Sequence, residues 1–189
     1  MACRIIAVGA SWGGVHAVSA VLAGLPLELP VPIVVAQHRG EETPTGLAAT
    51  MGRRTAITVV EATDKDVLQP GHAYLAPPGY HLLVERGSLS LSTDEPERFS
   101  RPSIDVLFES VADAYGEEAV GVILTGASDD GAVGLERIQR YGGTTVVQEP
   151  ATAERRTMPD AALAGGQAHR ILGLDEIAPF LVKICGQGS

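Results

Sequence analysis

The sequence predicts an α/β domain: a doubly wound, mostly parallel sheet between two helical layers, with a short antiparallel insert. Three observations carry this prediction. Short β-rich apolar runs alternate with helical patterns along most of the chain. The runs Val31–Ala36 and Ala119–Leu124 are continuous rather than alternating, as strands buried on both faces are. No internal repeat or linker interrupts the order, so residues 1–189 read as one domain.

Each element has a local reason. Arg4–Val8 is an apolar run that ends in a Gly-rich turn, and a helical pattern follows from Gly14 to Ala23. Ile33–Ala36 is a second strand, and Pro30-Val31-Pro32 before it keeps a helix out. Thr43-Pro44 pairs an N-cap with a first-turn proline and predicts a helix to Gly52. Ile57–Glu61 is a third strand. His72–Ala76, His81–Glu85 and Leu89–Ser92 are short strands joined by Pro77-Pro78-Gly79 and Arg86-Gly87, which reads as the antiparallel insert. A polar loop, Ser92–Arg101, leads to Ser103, a cap for a helix with Ile104, Leu107, Phe108 and Val111 on one face. The alternation then resumes with strand Ala119–Leu124, helix Gly131–Tyr141 and strand Thr144–Gln148. A helix at Met158–Ala164, a strand at Ala168–Leu172 and a helix at Asp175–Ile184 follow. The result is a Rossmann-like three-layer arrangement.

Composition excludes several function classes. The 189 residues are 45% hydrophobic, enough for a substantial core. Formal net charge is 14 − 23 = −9, so a nucleic-acid partner is not expected. The first nine residues lack the pattern of a signal peptide, and the longest apolar stretches are strand-sized. A cytoplasmic protein without direct membrane insertion is expected. Cys3 and Cys185 stand at opposite ends of the chain and are expected to be unpaired thiols. No His or Cys spacing suits a metal, and no cofactor is expected.

Functional sites of open parallel sheets lie beyond the carboxyl ends of the strands. Three turns occupy such positions. Gly9-Ala10-Ser11-Trp12-Gly13-Gly14 has the Gly-x-Ser-x-Gly pattern of a nucleophile elbow, in which glycines let the chain turn sharply and free the serine hydroxyl. Gln37-His38-Arg39 puts a histidine after the second strand. Thr125-Gly126-Ala127-Ser128-Asp129-Asp130-Gly131 offers a carboxylate from Asp129 or Asp130, either of which could instead cap the next helix. Together they supply Ser, His and Asp, the set needed for nucleophilic acyl transfer. A dinucleotide site is disfavoured, because the glycine spacing is wrong and His38 stands where an acidic residue is needed. His16, His72, His81 and His169 read as surface or packing residues.

These motifs occur with several others in one order. Ile6-Ala7-Val8-Gly9-Ala10-Ser11-x-Gly13-Gly14, Gln37-His38, Pro70-Gly71-His72-Ala73-Tyr74-Leu75-Ala76-Pro77 and Arg101-Pro102-Ser103-Ile104-Asp105-Val106-Leu107-Phe108 come first. Val122-Ile123-Leu124-Thr125-Gly126, Asp130-Gly131-Ala132-x-Gly134 and Met158-Pro159 follow. Over nearly the whole chain the set resembles the catalytic domain of the chemotaxis receptor methylesterases. The resemblance implies a serine esterase that hydrolyses glutamyl methyl esters on the cytoplasmic helices of chemoreceptors and releases methanol. It implies Ser11 as nucleophile, His38 as general base and acid, Asp130 as the orienting carboxylate, and the backbone N–H of Ala127 as an oxyanion donor. Deamidation of receptor glutamine by the same machinery is one alternative. A degenerate domain that only binds a receptor or partner is another.

The chain departs from the family pattern in three ways. Trp12 stands where threonine is usual. Ala127-Ser128 replaces Met-Gly, which would strain the backbone if a left-handed residue were required there. No phospho-receiver domain precedes the first strand in this sequence. Either such a domain has been trimmed away or the protein is a stand-alone esterase, and the second alternative carries the expectation of activity without phosphorylation, with a separate response-regulator protein as a candidate partner. Trp12, Arg39, Arg101 and Met158 are expected on the substrate side. Arg39, Arg53, Arg54 and Arg101 are expected nearer the site than the acidic average would suggest.

Overall fold

The computed structural model describes residues 3–40, 46–166 and 168–186. Its main sheet has seven parallel strands: β1 (Ile5–Ala10), β2 (Ile33–Gln37), β3 (Thr58–Glu61), β4 (His72–Leu75), β7 (Ala119–Ile123), β8 (Thr144–Gln148) and β9 (Arg170–Leu172). Their spatial order is β3-β4-β2-β1-β7-β8-β9. A separate antiparallel hairpin is formed by β5 (His81–Glu85) and β6 (Ser88–Ser92).

Two apolar cores explain the layering. Side chains of a strand point alternately to opposite faces. In β1, Ile6, Val8 and Ala10 therefore meet α1 (Gly14–Ala23), α2 (Leu47–Gly52) and α6 (Leu174–Cys185). Ile5 and Ala7 face the other core, built from α3 (Ile104–Tyr115), α4 (Ala132–Arg140), α5 (Thr157–Ala164) and the hairpin. Both faces of the central strands are buried, which is why their sequences are continuously apolar.

The structure corrects three expectations. The stretch His72–Ala76 is not part of the antiparallel insert. Its strand, β4, pairs parallel with both β2 and β3, and the insert is the two-stranded β5–β6 hairpin alone. The proline-rich Pro77-Pro78-Gly79 leads out of the main sheet into that hairpin and does not turn a strand back on itself. Cys3 and Cys185 are not free thiols but form a disulfide, with Cα atoms 4.9 Å apart. Both α6 and the start of β1 pack at one core, so a sequence separation of 182 becomes contact. Arg53 and Arg54 line a depression between α1 and α2 with His16 and Thr50, and not the cavity beside His38. Thr43 and Pro44 lie outside the described residues, and α2 begins after Gly46, whose φ is 103°. Among the described residues no helix is long and apolar enough to cross a membrane.

Candidate active site

The strands β2, β1 and β7 are adjacent, and β1 and β7 flank the point where the chain changes its direction of travel across the sheet. Their carboxyl ends carry His38, Ser11 and the Thr125–Gly131 turn. The strand-end rule therefore gathers three distant sequence segments along one edge.

Ser11 sits between β1 and α1. Its N–H donates to Thr125 O (3.0 Å), and its carbonyl accepts from Gly14 N (2.8 Å) and Gln37 Nε2 (2.8 Å). Gln37 Nε2 also donates to His38 O (3.0 Å), so one buried amide ties the serine turn to the histidine turn. Gly13 closes the elbow with φ 76°, a conformation that a side chain disfavours. The Cβ of Ser11 lies 2.9 Å from the position a side chain at Gly126 would take, so the first and third turns touch.

Asp130 is fully buried and accepts four hydrogen bonds. His38 Nε2 (2.7 Å) and Ile104 N (2.7 Å) donate to Oδ2, and Asp105 N (2.9 Å) and the Ser103 hydroxyl (3.0 Å) donate to Oδ1. Burial pushes this carboxyl up. The bonds from His38 and from the two backbone amides outweigh that effect and hold it below the ordinary carboxylate range. The amides open α3, so the helix N-terminus adds a favourable dipole. An ionised Asp130 can only accept, so His38 Nε2 carries the proton and Nδ1 of the neutral ring holds the lone pair. Among the described residues no hydrogen bond joins Ser11 Oγ to that ring.

Of the two candidate carboxylates, Asp130 thus meets His38. Asp129 is 61% exposed and pairs with Arg98 at the surface (2.6 Å). Asp105 accepts from Gly131 N (3.0 Å) and Gly134 N (2.7 Å) and pairs with Arg98 Nε (3.1 Å). Burial is the main cause that pushes its carboxyl up to about 6; the amide of Gly134 and the charge of Arg98 resist, and the charge of Asp130 adds to the rise.

The substrate-side candidates divide. Trp12 stays 57% exposed beside Ser11, with Nε1 donating to Glu154 Oε1 (2.9 Å) and the Arg155 guanidinium 5.3 Å from its ring centre. Arg39 and Arg101 line a cavity of about 410 Å³ together with His38, Phe99, Ser100 and Pro102. Arg39 is already engaged there, donating to Glu61 and to Ala76 O. Arg101 donates to the carbonyls of Thr93 and Asp94 and so braces the loop before it. Met158 is buried (1% exposed) against Gly126, where it props the third turn from behind. Ala127 is exposed in that turn. Ser128 does not adopt positive φ, and its hydroxyl accepts from Asp130 N (3.1 Å), so the change from glycine costs no backbone strain.

Several residues of the site were not singled out from the sequence. Ser103 reads as a helix cap and stands in one of the shared motifs, yet its hydroxyl also holds Asp130. Gln37 and Asp105 stand in the shared motifs without a role assigned to them, and Arg98, Glu154 and Arg155 carry no signal in the sequence. Among the described residues no group of three or more His, Cys, Asp or Glu side chains is placed to hold a metal ion.

Residues 6–181 match the family model described as CheB methylesterase. A Leptospira interrogans protein, provisionally named protein-glutamate methylesterase/protein-glutamine glutaminase, is 41% identical over 180 residues, covering 95% of this chain and 93% of its own. The protein-glutamate methylesterase/protein-glutamine glutaminase of Geobacillus kaustophilus is 42% identical over 188 residues, and the chain spans 54% of its length. The protein-glutamate methylesterase FrzG of Myxococcus xanthus is 39% identical over 180 residues, again with 54% of its length spanned. The crystal structure of the Thermotoga maritima CheB methylesterase catalytic domain superposes with a TM-score of 0.91 at 29% identity, covering 97% of this chain and 99% of that one.

Proposed function

The chain belongs to the CheB methylesterase family, and from that premise we propose that it hydrolyses glutamyl methyl esters of chemoreceptors through a Ser11–His38–Asp130 triad. The observation that carries the assignment is the 2.7 Å contact of His38 Nε2 with Asp130 Oδ2 at the strand edge that also holds Ser11. Asp130, ionised and buried, keeps the proton of His38 on Nε2 and steadies the imidazolium when it forms. Nδ1 then takes the proton of Ser11 as Oγ attacks the ester carbonyl. The backbone N–H of Ala127 is the proposed donor to the resulting oxyanion, an effect worth about 3 kcal/mol per donor. Methanol leaves with the proton returned from Nδ1. Water activated by the same nitrogen cleaves the acyl-serine and frees the glutamate carboxylate.

Trp12 adjoins Ser11 and offers an exposed indole to the aliphatic part of the substrate. Glu154 and Arg155 hold it at one orientation, so it can serve as a fixed wall. Glutamine deamidation is a second reading, favoured by the double names of the Leptospira and Geobacillus relatives. The triad is the same, with ammonia as leaving group.

Methanol release from a methyl-esterified chemoreceptor fragment tests the proposal. Loss of at least about 10³-fold in kcat is expected for Ser11→Ala and for His38→Ala. Equal rates in wild type and both variants would sink the triad. Ammonia release from an unmodified glutamine-bearing fragment tests deamidation separately.

A further inference from the structure

One segment beside the site holds a conformation that neither the core nor the triad requires. Glu97 N donates to Ser100 O (3.1 Å), and Ser100 N donates to Glu97 O (2.8 Å), closing a two-residue turn. Both central residues are left-handed: φ is 48° at Arg98 and 62° at Phe99. Turns of this kind ordinarily take glycine or asparagine, because a side chain at positive φ is strained. Here the strain is held by Arg98, whose guanidinium meets Asp129 Oδ2 (2.6 Å) and Asp105 Oδ2 (3.1 Å). Asp105 is in turn bonded to the backbone at the start of α4, next to Asp130. The turn is thereby riveted to the segment that supplies the carboxylate of the triad.

The riveted turn presents a side chain. Phe99 is wholly exposed, at 104% relative accessibility, yet it lines the same cavity as His38. The unburied aromatic tip adds nothing to the core, and strain of this kind collects where a surface must be shaped for a ligand. We propose that the Arg98–Phe99 turn is a docking post for the protein substrate. Phe99 enters an apolar groove on the protein surface flanking the esterified glutamate, while the ester itself reaches Ser11. The partner is identified by continuity, because one cavity joins the tip to the catalytic histidine. The inference rests on the hydrolase reading above for the identity of that partner.

Two measurements on the full chain test it. The first is the Kd of a methyl-esterified chemoreceptor cytoplasmic fragment for the Ser11→Ala protein, with and without Phe99→Ala. Burial of a phenyl ring predicts a weakening of about 10- to 100-fold on its removal, with Phe99→Leu recovering most of it. A Kd within twofold would overturn the proposal. The second compares kcat/KM for that fragment with kcat/KM for a small neutral ester, N-acetylglutamate γ-methyl ester methylamide, in protein with Ser11 intact. Phe99→Ala should lower the fragment-to-small-ester ratio by the same factor as it raises Kd. Equal losses on both esters would also overturn docking, since they would place Phe99 in the reaction site itself. Wild-type protein that releases no methanol from either ester sinks the triad, while the Kd comparison still decides the role of the turn.

Discussion

Replacing Asp130 with asparagine separates the proposed orienting role of this carboxylate from its place in the core. The side chain keeps its shape but retains one acceptor oxygen where the native residue has two, and those two take four bonds. With the new NH₂ in the place of Oδ2, it faces the Ile104 N–H and the His38 ring. His38 must then accept at Nε2, its proton moves to Nδ1, and the base is lost. With the NH₂ in the place of Oδ1, it faces the Asp105 N–H, while the Ser103 hydroxyl can turn to accept. Either orientation leaves one buried backbone donor without a partner, which costs about 1–3 kcal/mol. At about 2–4 °C per kcal/mol for a chain of this size, Tm should fall by about 2–12 °C. The second orientation spares the tautomer and is the one expected to dominate, because the Ser103 hydroxyl adapts to it while the His38 proton stays on Nε2. The remaining loss is the negative charge that steadies the imidazolium. Turnover should fall at least about 10-fold, and up to about 10⁴-fold where the wrong tautomer is populated. Thermal unfolding followed by circular dichroism reads the first quantity, and methanol release reads the second. Nitrogen chemical shifts of the His38 ring distinguish the two orientations. A variant as stable as wild type to within about 0.5 kcal/mol, with turnover within threefold, would refute the reasoning.

Asp129→Asn should cost less than about 1 kcal/mol and alter methanol release from the small neutral ester less than threefold, since its ion pair is at the surface; the reverse ranking of the two aspartates on that ester would mean that the wrong carboxylate was assigned. Asp105 has its folded pKa raised to about 6. Its contribution to stability is therefore complete below about pH 4 and is lost as the pH rises through 6, by roughly 3 kcal/mol in all. Asp105→Asn should remove that slope from a pH series of unfolding free energies, and an unchanged slope would count against it. A Cβ on Gly14 would lie 2.1 Å from Gln37 Oε1 and 2.7 Å from the Ala10 methyl. Gly14→Ala should push the Gln37 amide off the Ser11 and His38 carbonyls, lowering stability by about 1–3 kcal/mol and kcat by about 10-fold or more. The gain in helix propensity alone would raise stability, so a stabilised and fully active variant would show that Gln37 does not couple the two turns.

The central half of the fold was legible because β1, β2 and β7 are buried on both faces and carry unbroken apolar runs. The same strands made Ser11 and His38 legible, since a strand end is a position readable along the chain. The choice between Asp129 and Asp130 was not readable from residue type, because burial decides it. One side chain lies inside against the opening amides of α3, and the other lies outside beside Arg98. The strand β4 was read as part of the insert because its neighbours β2 and β3 are distant in sequence, while the turn signal after it is local. The Arg98–Phe99 turn left no trace, since its left-handed residues are neither glycine nor asparagine. The cysteine pair escaped for a similar reason, as proximity in space between the two ends of a chain has no local signature.

That pair also determines how the domain bears load. The covalent tie between Cys3 and Cys185 lies just before β1, and Ser11 lies just past its end, so the six extended residues of β1, about 20 Å in length, stand between them. A pull on the two sides of the tie passes through one sulfur bridge and bypasses the sheet. The strand edge that carries the site then stays slack however hard the ends are drawn. The same closure makes the backbone a near-complete ring, so reopening it at the exposed Arg86-Gly87 turn, with the old ends joined, would leave every parallel strand pair intact.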